Sequence, residues 1–279
     1  MIAVKDYWSL TKPKQTFLLV YCGVCAMLAG NPSPPLSTAS LVILAFFLSI
    51  AETTAVANYV DRSVDAVMER TKGRPLPSRR VAPWKALCFG VLLVGVSLTM
   101  AFNVNMLFSA FLIWGAVNNV AVYNLFAKRR TSYSILLASP AGAMPVLGGW
   151  AAFKGLTLEP VLMAGLVILW IPIHIWSIAL RWRSDYVKAK IPMLPLAVEN
   201  GGRLIVAGSI LLAAYSTIAV QLALQWKLAA VIVLLNAALI VLSLKFAAKP
   251  TERNAWVLLK FTGFYIFIVF LAWPVSGLL

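Results

Sequence analysis

Only nine of the 279 residues are aspartate or glutamate, and only one is histidine. Charged side chains make up 12% of the chain, about half the share of an ordinary soluble domain. That scarcity excludes a conventional water-solvated surface. Three cysteines supply neither an even disulfide framework nor two pairs for a zinc site. Cys22 and Cys25 form a CxxC inside an apolar run and Cys88 stands alone, so all three read as small apolar packing residues. Met1–Lys14 has no apolar core, so no cleavable signal peptide is expected before the first span.

Hydrophobic residues, in contrast, make up 61% of the sequence. Windows of about twenty apolar residues, enough to cross a bilayer as helix, recur along it. Nine are expected, over 14–31, 36–57, 84–102, 105–126, 133–152, 159–181, 203–223, 227–246 and 255–277. The expected fold class is therefore all-α, a polytopic membrane helical bundle of nine transmembrane helices, with 1–279 forming one integral-membrane domain.

The net charge of +15 raises the question of nucleic acid, and the placement of the cations argues against it. With a cytoplasmic N-terminus, all of the 24 lysines and arginines except Lys154 and Lys227 fall on the cytoplasmic side. This is the positive-inside bias, and it puts the C-terminus outside. The lipid bilayer is the partner that the composition implies.

External connections such as 31–35 and 103–105 are short, whereas 58–83 and 182–202 are long, and long loops inside a compact body are usually functional. Each begins with acid: Asp61 and Asp65 in the first, Asp185 in the second. On a helix continuing the second span, Asn58, Asp61 and Asp65 fall within about 60° of one another. Carboxylates sharing a face in this way suit a hard divalent cation, and Mg²⁺ favours one or two carboxylates plus phosphate oxygens. Arg70, Lys72, Arg74, Arg79 and Arg80 would suit a polyanion bridged by that metal. The alternative is a pair of solvated helix-end acids bonded to Arg62 and Arg70.

His174 follows Pro172 within an apolar span. It either satisfies a backbone carbonyl freed by the proline or belongs to a site, since intramembrane ionisable groups are candidates by default. On one helix it would stand roughly 16 Å deeper than Asp185. Glu52 either faces the same cavity or bonds to Thr53 or Thr54 of a neighbouring turn.

Five stretches, "YWSLTKPK" (7–14), "NYVDRSVDAVMERTKGRPL" (58–76), "YNLFAKRRT" (123–131), "GAMPVLGGWAA" (142–152) and "LWIPIHIWSIALRWRSDYVKAKIPMLP" (169–195), resemble in order the motifs of the UbiA superfamily of intramembrane prenyltransferases. The last is similar to the heme branch rather than to the quinone, chlorophyll or archaeal-lipid branches. The resemblance covers almost the whole chain. Ala57 and Ser63 depart from the family's usual Asn and Asp, and Ala189 leaves Asp185 alone where the superfamily has a second acidic pair.

The resemblance implies farnesyl transfer from farnesyl diphosphate to a vinyl group of heme b. Mg²⁺ would be held by Asn58, Asp61, Asp65 and Asp185, with Arg70, Lys72, Arg74, Lys128 and Arg129 neutralising the diphosphate and Tyr123 donating to it. His174 would orient the porphyrin, and Trp170 and Trp176 would stack on it. A heme A synthase or terminal oxidase would take the product downstream, and the location expected is the cell membrane of a prokaryote. Two other readings remain at this stage: a related enzyme prenylating an aromatic ring or a lipid glycerol, and a non-catalytic heme-handling or transport protein.

Overall fold

Each apolar run becomes one helix, and its ends fall where the backbone chemistry changes. The computed structural model of the chain describes residues 4–197, 201–224 and 228–276. Lys227, one of the two cations expected outside, lies beyond the described residues. In order, the helices are α1 (Val4–Leu10), α2 (Pro13–Gly30), α3 (Leu36–Val67), α4 (Pro83–Phe102), α5 (Met106–Val117), a π-helix (Asn118–Ala127), α6 (Ser134–Ala151), α7 (Leu158–Arg181), α8 (Arg183–Lys188), α9 (Leu194–Ala197), α10 (Gly201–Leu224), α11 (Ala229–Ala248) and α12 (Glu252–Ser276). Proline opens α2 and α4 in the first turn, where its missing N–H costs nothing. Asn105 caps α5, its side-chain oxygen accepting from the Phe108 N–H at 2.8 Å.

Eight helices among the described residues are long and apolar enough to cross a membrane, counting α5 and the π-helix as one. The ninth expected span is α2, whose first turn spends Pro13, Lys14 and Gln15 on the polar side of the balance. It nevertheless packs as the others do. The helices α2, α6, α7 and α12 form a closed ring, each touching the next; α3, α4 and α5 flank one side of it and α10 and α11 the other.

Close backbone approach holds this ring where lipid gives helices no hydrophobic reason to associate. A Cβ on Gly149 of α6 would stand 2.1 Å from the Gly23 carbonyl oxygen of α2, so only glycine fits there. Cys22 and Cys25 are buried in the same apolar core, while Cys88 is exposed. Thr53 and Thr54 give their hydroxyls to the Ile50 and Ala51 carbonyls, not to Glu52. Glu52 Oε2 accepts from Ser97 Oγ of α4 at 2.6 Å, a polar tie between α3 and α4.

Candidate functional site

α3 runs for 32 residues, past the apolar 36–57 stretch, because nothing breaks it until Met68. That extension carries Asn58, Asp61 and Asp65 to the mouth of the bundle, where all three are buried, at 4%, 4% and 5% exposure. Asn58 Nδ2 donates to the Leu10 carbonyl at 2.8 Å, tying α1 over the site, and its Oδ1 has no donor. Asp61 pairs through Oδ2 with Lys128 at the end of the π-helix, and its Oδ1 also lacks a hydrogen bond. The Arg129 guanidinium stands 4.0 Å from that Oδ1 and donates to the Val60 carbonyl at 3.0 Å. Asp65 accepts from Arg74 at 2.8 Å.

These pairings replace the local ones considered from sequence. Arg62 bonds the Tyr59 carbonyl at 2.7 Å and lies over the Tyr59 ring, away from the carboxylates. The partners that do arrive come from across the fold, because the π-helix and the 68–82 loop pack against the end of α3.

Asp185 lies on α8, after a helix break at Trp182, so it is not on one continuous helix with His174. Its carboxylate accepts the backbone N–H groups of Glu69, at 3.0 Å, and Arg70, at 2.9 Å. The two long loops are thereby clamped together. Arg70 itself is exposed. Lys72 is turned to the outer surface, where it pairs with Glu69, and is not brought to the carboxylates.

Two residues missing from the sequence-derived set belong here. Lys12, in a left-handed turn with φ 46 between α1 and α2, is held at about 7 instead of 10.5. Burial is the main cause; Arg74 and Lys128 push the same way, while Asp61 and Asp65 oppose them. Tyr186, buried on α8, is raised by burial first, against the charges of Arg70, Lys128 and Arg74. Lys12 lies in the quoted "YWSLTKPK" stretch, and only its distance from the acids in sequence hid it. Tyr186 likewise lies in the quoted 169–195 stretch, directly after Asp185, and nothing in its residue type sets it apart there.

Tyr123 sits on the π-helix with Lys128 over its ring at 5.6 Å. π-helical turns are rare and often mark functional sites. The chemistry available is thus a buried pair of unpartnered oxygens surrounded by Lys12, Arg74, Lys128 and Arg129. Among the described residues no three acidic, histidine or cysteine side chains converge as a ready-made metal cluster. The donor set still fits Mg²⁺ in the way that ion ordinarily binds, through one or two hard carboxylates with the remaining positions supplied by substrate phosphates and water.

His174 makes its bond to a side chain, not to a carbonyl freed by Pro172. Its Nδ1 is 2.9 Å from Thr262 Oγ1 of α12. The single Thr262 hydroxyl proton goes to the Leu259 carbonyl at 2.8 Å. In the neutral ring Nδ1 therefore donates, leaving Nε2 with a free lone pair. Trp170 stacks on the imidazole at 4.6 Å and donates Nε1 to the Thr262 carbonyl. Trp176 is buried and its Nε1 has no partner.

Proteins of similar sequence and of similar fold are known. A protoheme IX farnesyltransferase of Desulforudis audaxviator is 38% identical over 98% of this chain and 88% of the relative. A protoheme IX farnesyltransferase 2 of Cenarchaeum symbiosum is 36% identical over 98% of this chain and 96% of the relative. Among solved structures, one from work on digeranylgeranylglyceryl phosphate synthase in membranes covers 98% of both chains at 18% identity with a TM-score of 0.79. A UbiA homolog from Archaeoglobus fulgidus bound to GPP and Mg²⁺ covers 94% of this chain and 99% of its own at 14% identity, TM-score 0.71. These two share the fold. The pattern of the UbiA prenyltransferase family matches residues 17–271, and the chain belongs to that family.

Proposed function

We infer that this protein transfers the farnesyl group of farnesyl diphosphate to a vinyl group of heme b, giving heme O and diphosphate. The observation that carries the reading is the buried Asn58 and Asp61 oxygens without donors, ringed by cations at the mouth of a membrane bundle. The relatives at 38% and 36% identity, each named for protoheme IX farnesylation, support the choice of acceptor.

Asn58, Asp61 and Asp65 would hold Mg²⁺, while Asp185, whose two oxygens accept the Glu69 and Arg70 N–H groups, does not converge with them, among the described residues, as a ready-made cluster. The metal, when bound, neutralises charge developing on the leaving diphosphate. Lys12, Arg74, Lys128 and Arg129 share that task, and Arg70 and Tyr123 complete the ring of donors. Asp185 holds the loop that carries Arg70. Lys72 contributes to the surface field alone.

The carbon–oxygen bond to diphosphate breaks and leaves an allylic cation, which the vinyl group attacks to form the new carbon–carbon bond. Water adds to the resulting cationic carbon and loses a proton, leaving a hydroxyethylfarnesyl side chain. The apolar interior of the bundle keeps water from the first cation. His174, with its free Nε2, is the residue proposed to orient the heme, as a ligand of the iron; Trp170 stacks on the imidazole from one turn earlier, whereas Trp176, two residues on, lies on the other side of the span.

We read residues 1–279 as one catalytic domain in a prokaryotic cell membrane, with the N-terminus cytoplasmic and the C-terminus external. Reporters fused after Lys85 or Lys128 are expected inside and one at the C-terminus outside. The decisive assay is incubation of the purified protein with heme b, farnesyl diphosphate and Mg²⁺. Mass spectrometry should find heme that has gained one farnesyl and one hydroxyl group, and unmodified heme beside released diphosphate would assign another acceptor.

A further inference from the structure

α1 is too short to hold itself together. It has seven residues, and isolated helices below about twelve to fifteen residues are marginal in water. Its order comes from what it touches. Leu10 is 1% exposed, seated among Ala55 of α3, Leu76 and Val81 of the 68–82 loop and Ala86 of α4. Tyr7 meets Phe89 of α4 edge-on with centroids 5.1 Å apart, and Trp8 stacks on Phe47 of α3 at 5.8 Å. Asp6 accepts from Arg80 Nε at 2.9 Å, and Arg80 Nη2 donates to the Gly73 carbonyl at 3.0 Å. Arg80, expected from sequence to meet a polyanion, instead joins α1 to the 68–82 loop.

The far end of α1 reaches the acid site. Its last carbonyl, that of Leu10, accepts from Asn58 Nδ2 at 2.8 Å. A side-chain amide can turn over, exchanging its oxygen for its NH₂ group, and the partner it finds decides which way it stands. Bound to a carbonyl, Asn58 keeps Nδ2 toward α1 and Oδ1 on the opposite side, and Oδ1 is the atom left buried without a donor. Only this orientation offers a cation an oxygen.

The turn after Leu10 stores strain. Lys12 is left-handed, with φ 46 and ψ 62, directly before Pro13. That region is unfavourable for a residue with a side chain, and such strain persists only where the surroundings over-determine it. Thr16 Oγ1 closes the turn by donating to the Thr11 carbonyl at 2.6 Å. The seated state of α1 is therefore held by its contacts against a backbone that would relax on release.

We propose that α1 is a strap whose seating aims the Asn58 oxygen at the metal-bound diphosphate, and that Asp6 and Arg80 are positioning residues acting through it. The proposal rests on the prenyl diphosphate reading above and adds a pair that touches neither metal nor substrate. Coupling of this kind is reciprocal: whatever factor the seated strap adds to ligand affinity, the ligand adds to seating of the strap.

The test reads hydrogen exchange of residues 4–12 by mass spectrometry on the purified full-length protein. Beside it stands the Mg²⁺ concentration that half-saturates binding of a farnesyl thiolodiphosphate analogue. In the unmodified protein, Mg²⁺ with the analogue should slow exchange of that segment. Asp6→Asn and Arg80→Gln should each speed exchange about threefold to fivefold and raise the half-saturating Mg²⁺ by a similar factor, the scale that a partly exposed ion pair supports. Asp6→Glu should restore both, and the double variant should be no worse than either single one, because the two residues act as one pair. The sign for Asp6→Asn is diagnostic: by charge alone, losing an acid near an anion site would tighten binding, whereas loss of the strap weakens it. Leu10→Ala empties the seat without touching either charge, should give the same two changes, and decides the matter if the charge variants do not fold. Faster exchange with an unchanged Mg²⁺ requirement, or unchanged exchange in the folded variants, would overturn the proposal. Failure of the prenyl diphosphate reading looks different: the unmodified protein itself would bind no analogue at any Mg²⁺ concentration.

Discussion

Asn58 and Asp61 stand one turn apart on α3, and each leaves one buried side-chain oxygen, Oδ1 in both, without a hydrogen-bond donor. A buried carboxylate or amide oxygen left unpaired costs about 1–3 kcal/mol, so a structure retains such a pair where a ligand satisfies it. The nearby cations already balance Asp61 and Asp65 in charge, which points to an incoming group that is itself anionic and brings its own metal.

Asp61→Asn and Asp65→Asn are therefore expected to lower diphosphate release by about two orders of magnitude or more. Expression should stay near that of the unmodified protein, since the amide keeps the shape of the carboxylate. Removing divalent metal with EDTA should have the same effect, reversed by added Mg²⁺. Full turnover in metal-free buffer would exclude the assignment.

Asp185 works differently, because both of its oxygens hold backbone N–H groups of the other long loop. In Asp185→Asn one amide hydrogen faces an N–H, so one of the two bonds is lost. The 68–82 loop should then open, and limited trypsin digestion should cut after Arg70 or Lys72 several times faster than in the unmodified protein. Binding of a farnesyl diphosphate analogue should weaken in parallel. Unchanged digestion would mean that the clamp does not hold the loop.

Much of this arrangement is legible in the sequence, and the part that is not has one physical cause. Apolar runs and their proline and asparagine boundaries mark the helices because each depends on a few neighbouring residues. The shared face of Asn58, Asp61 and Asp65 is likewise local, fixed by helical periodicity. Who pairs with whom is not local. Lys128 reaches Asp61 across 67 residues of chain, and Asp185 reaches Arg70 across 115. Nearby Arg62 and Arg70 looked better placed until the packing of the π-helix supplied a closer cation. Glu52 was ambiguous for the same reason, its Ser97 partner lying on the next helix. Nor does the composition of 118–127 distinguish a π-helix from the α-helix that precedes it.

Lys12 gives a pH signature. Its folded-state value of about 7 lies below the ordinary 10.5, so between those values the unfolded chain carries a proton that the folded chain lacks. Stability then rises with pH through this window, and the cost of burying the ammonium is present in full below it. Lys12→Met should raise the unfolding temperature of the ligand-free protein most at about pH 6, with the difference shrinking toward pH 10. The same variant should bind the diphosphate analogue about tenfold more weakly, as expected for a lost cation beside an anion. A stabilisation equal at both pH values would remove Lys12 from the explanation.

His174 carries the least local of the site predictions, since its tautomer is set by a hydroxyl on another helix. Thr262 gives its only proton to the Leu259 carbonyl, so His174 Nδ1 donates to Thr262 and Nε2 keeps a lone pair. A second partner that fixes one ring nitrogen in this way orients the other toward a metal. If Nε2 ligates heme iron, His174→Ala should weaken heme binding and shift the Soret band of bound heme, while Mg²⁺-dependent binding of the farnesyl diphosphate analogue stays intact. Thr262→Val, which leaves the imidazole but frees its tautomer, should shift the band less and loosen heme by a smaller factor. A role confined to packing α7 against α12 gives another pattern: both substitutions lower thermal stability and impair the two ligands together. An unchanged heme spectrum with unchanged product formation in His174→Ala would take the imidazole out of the site.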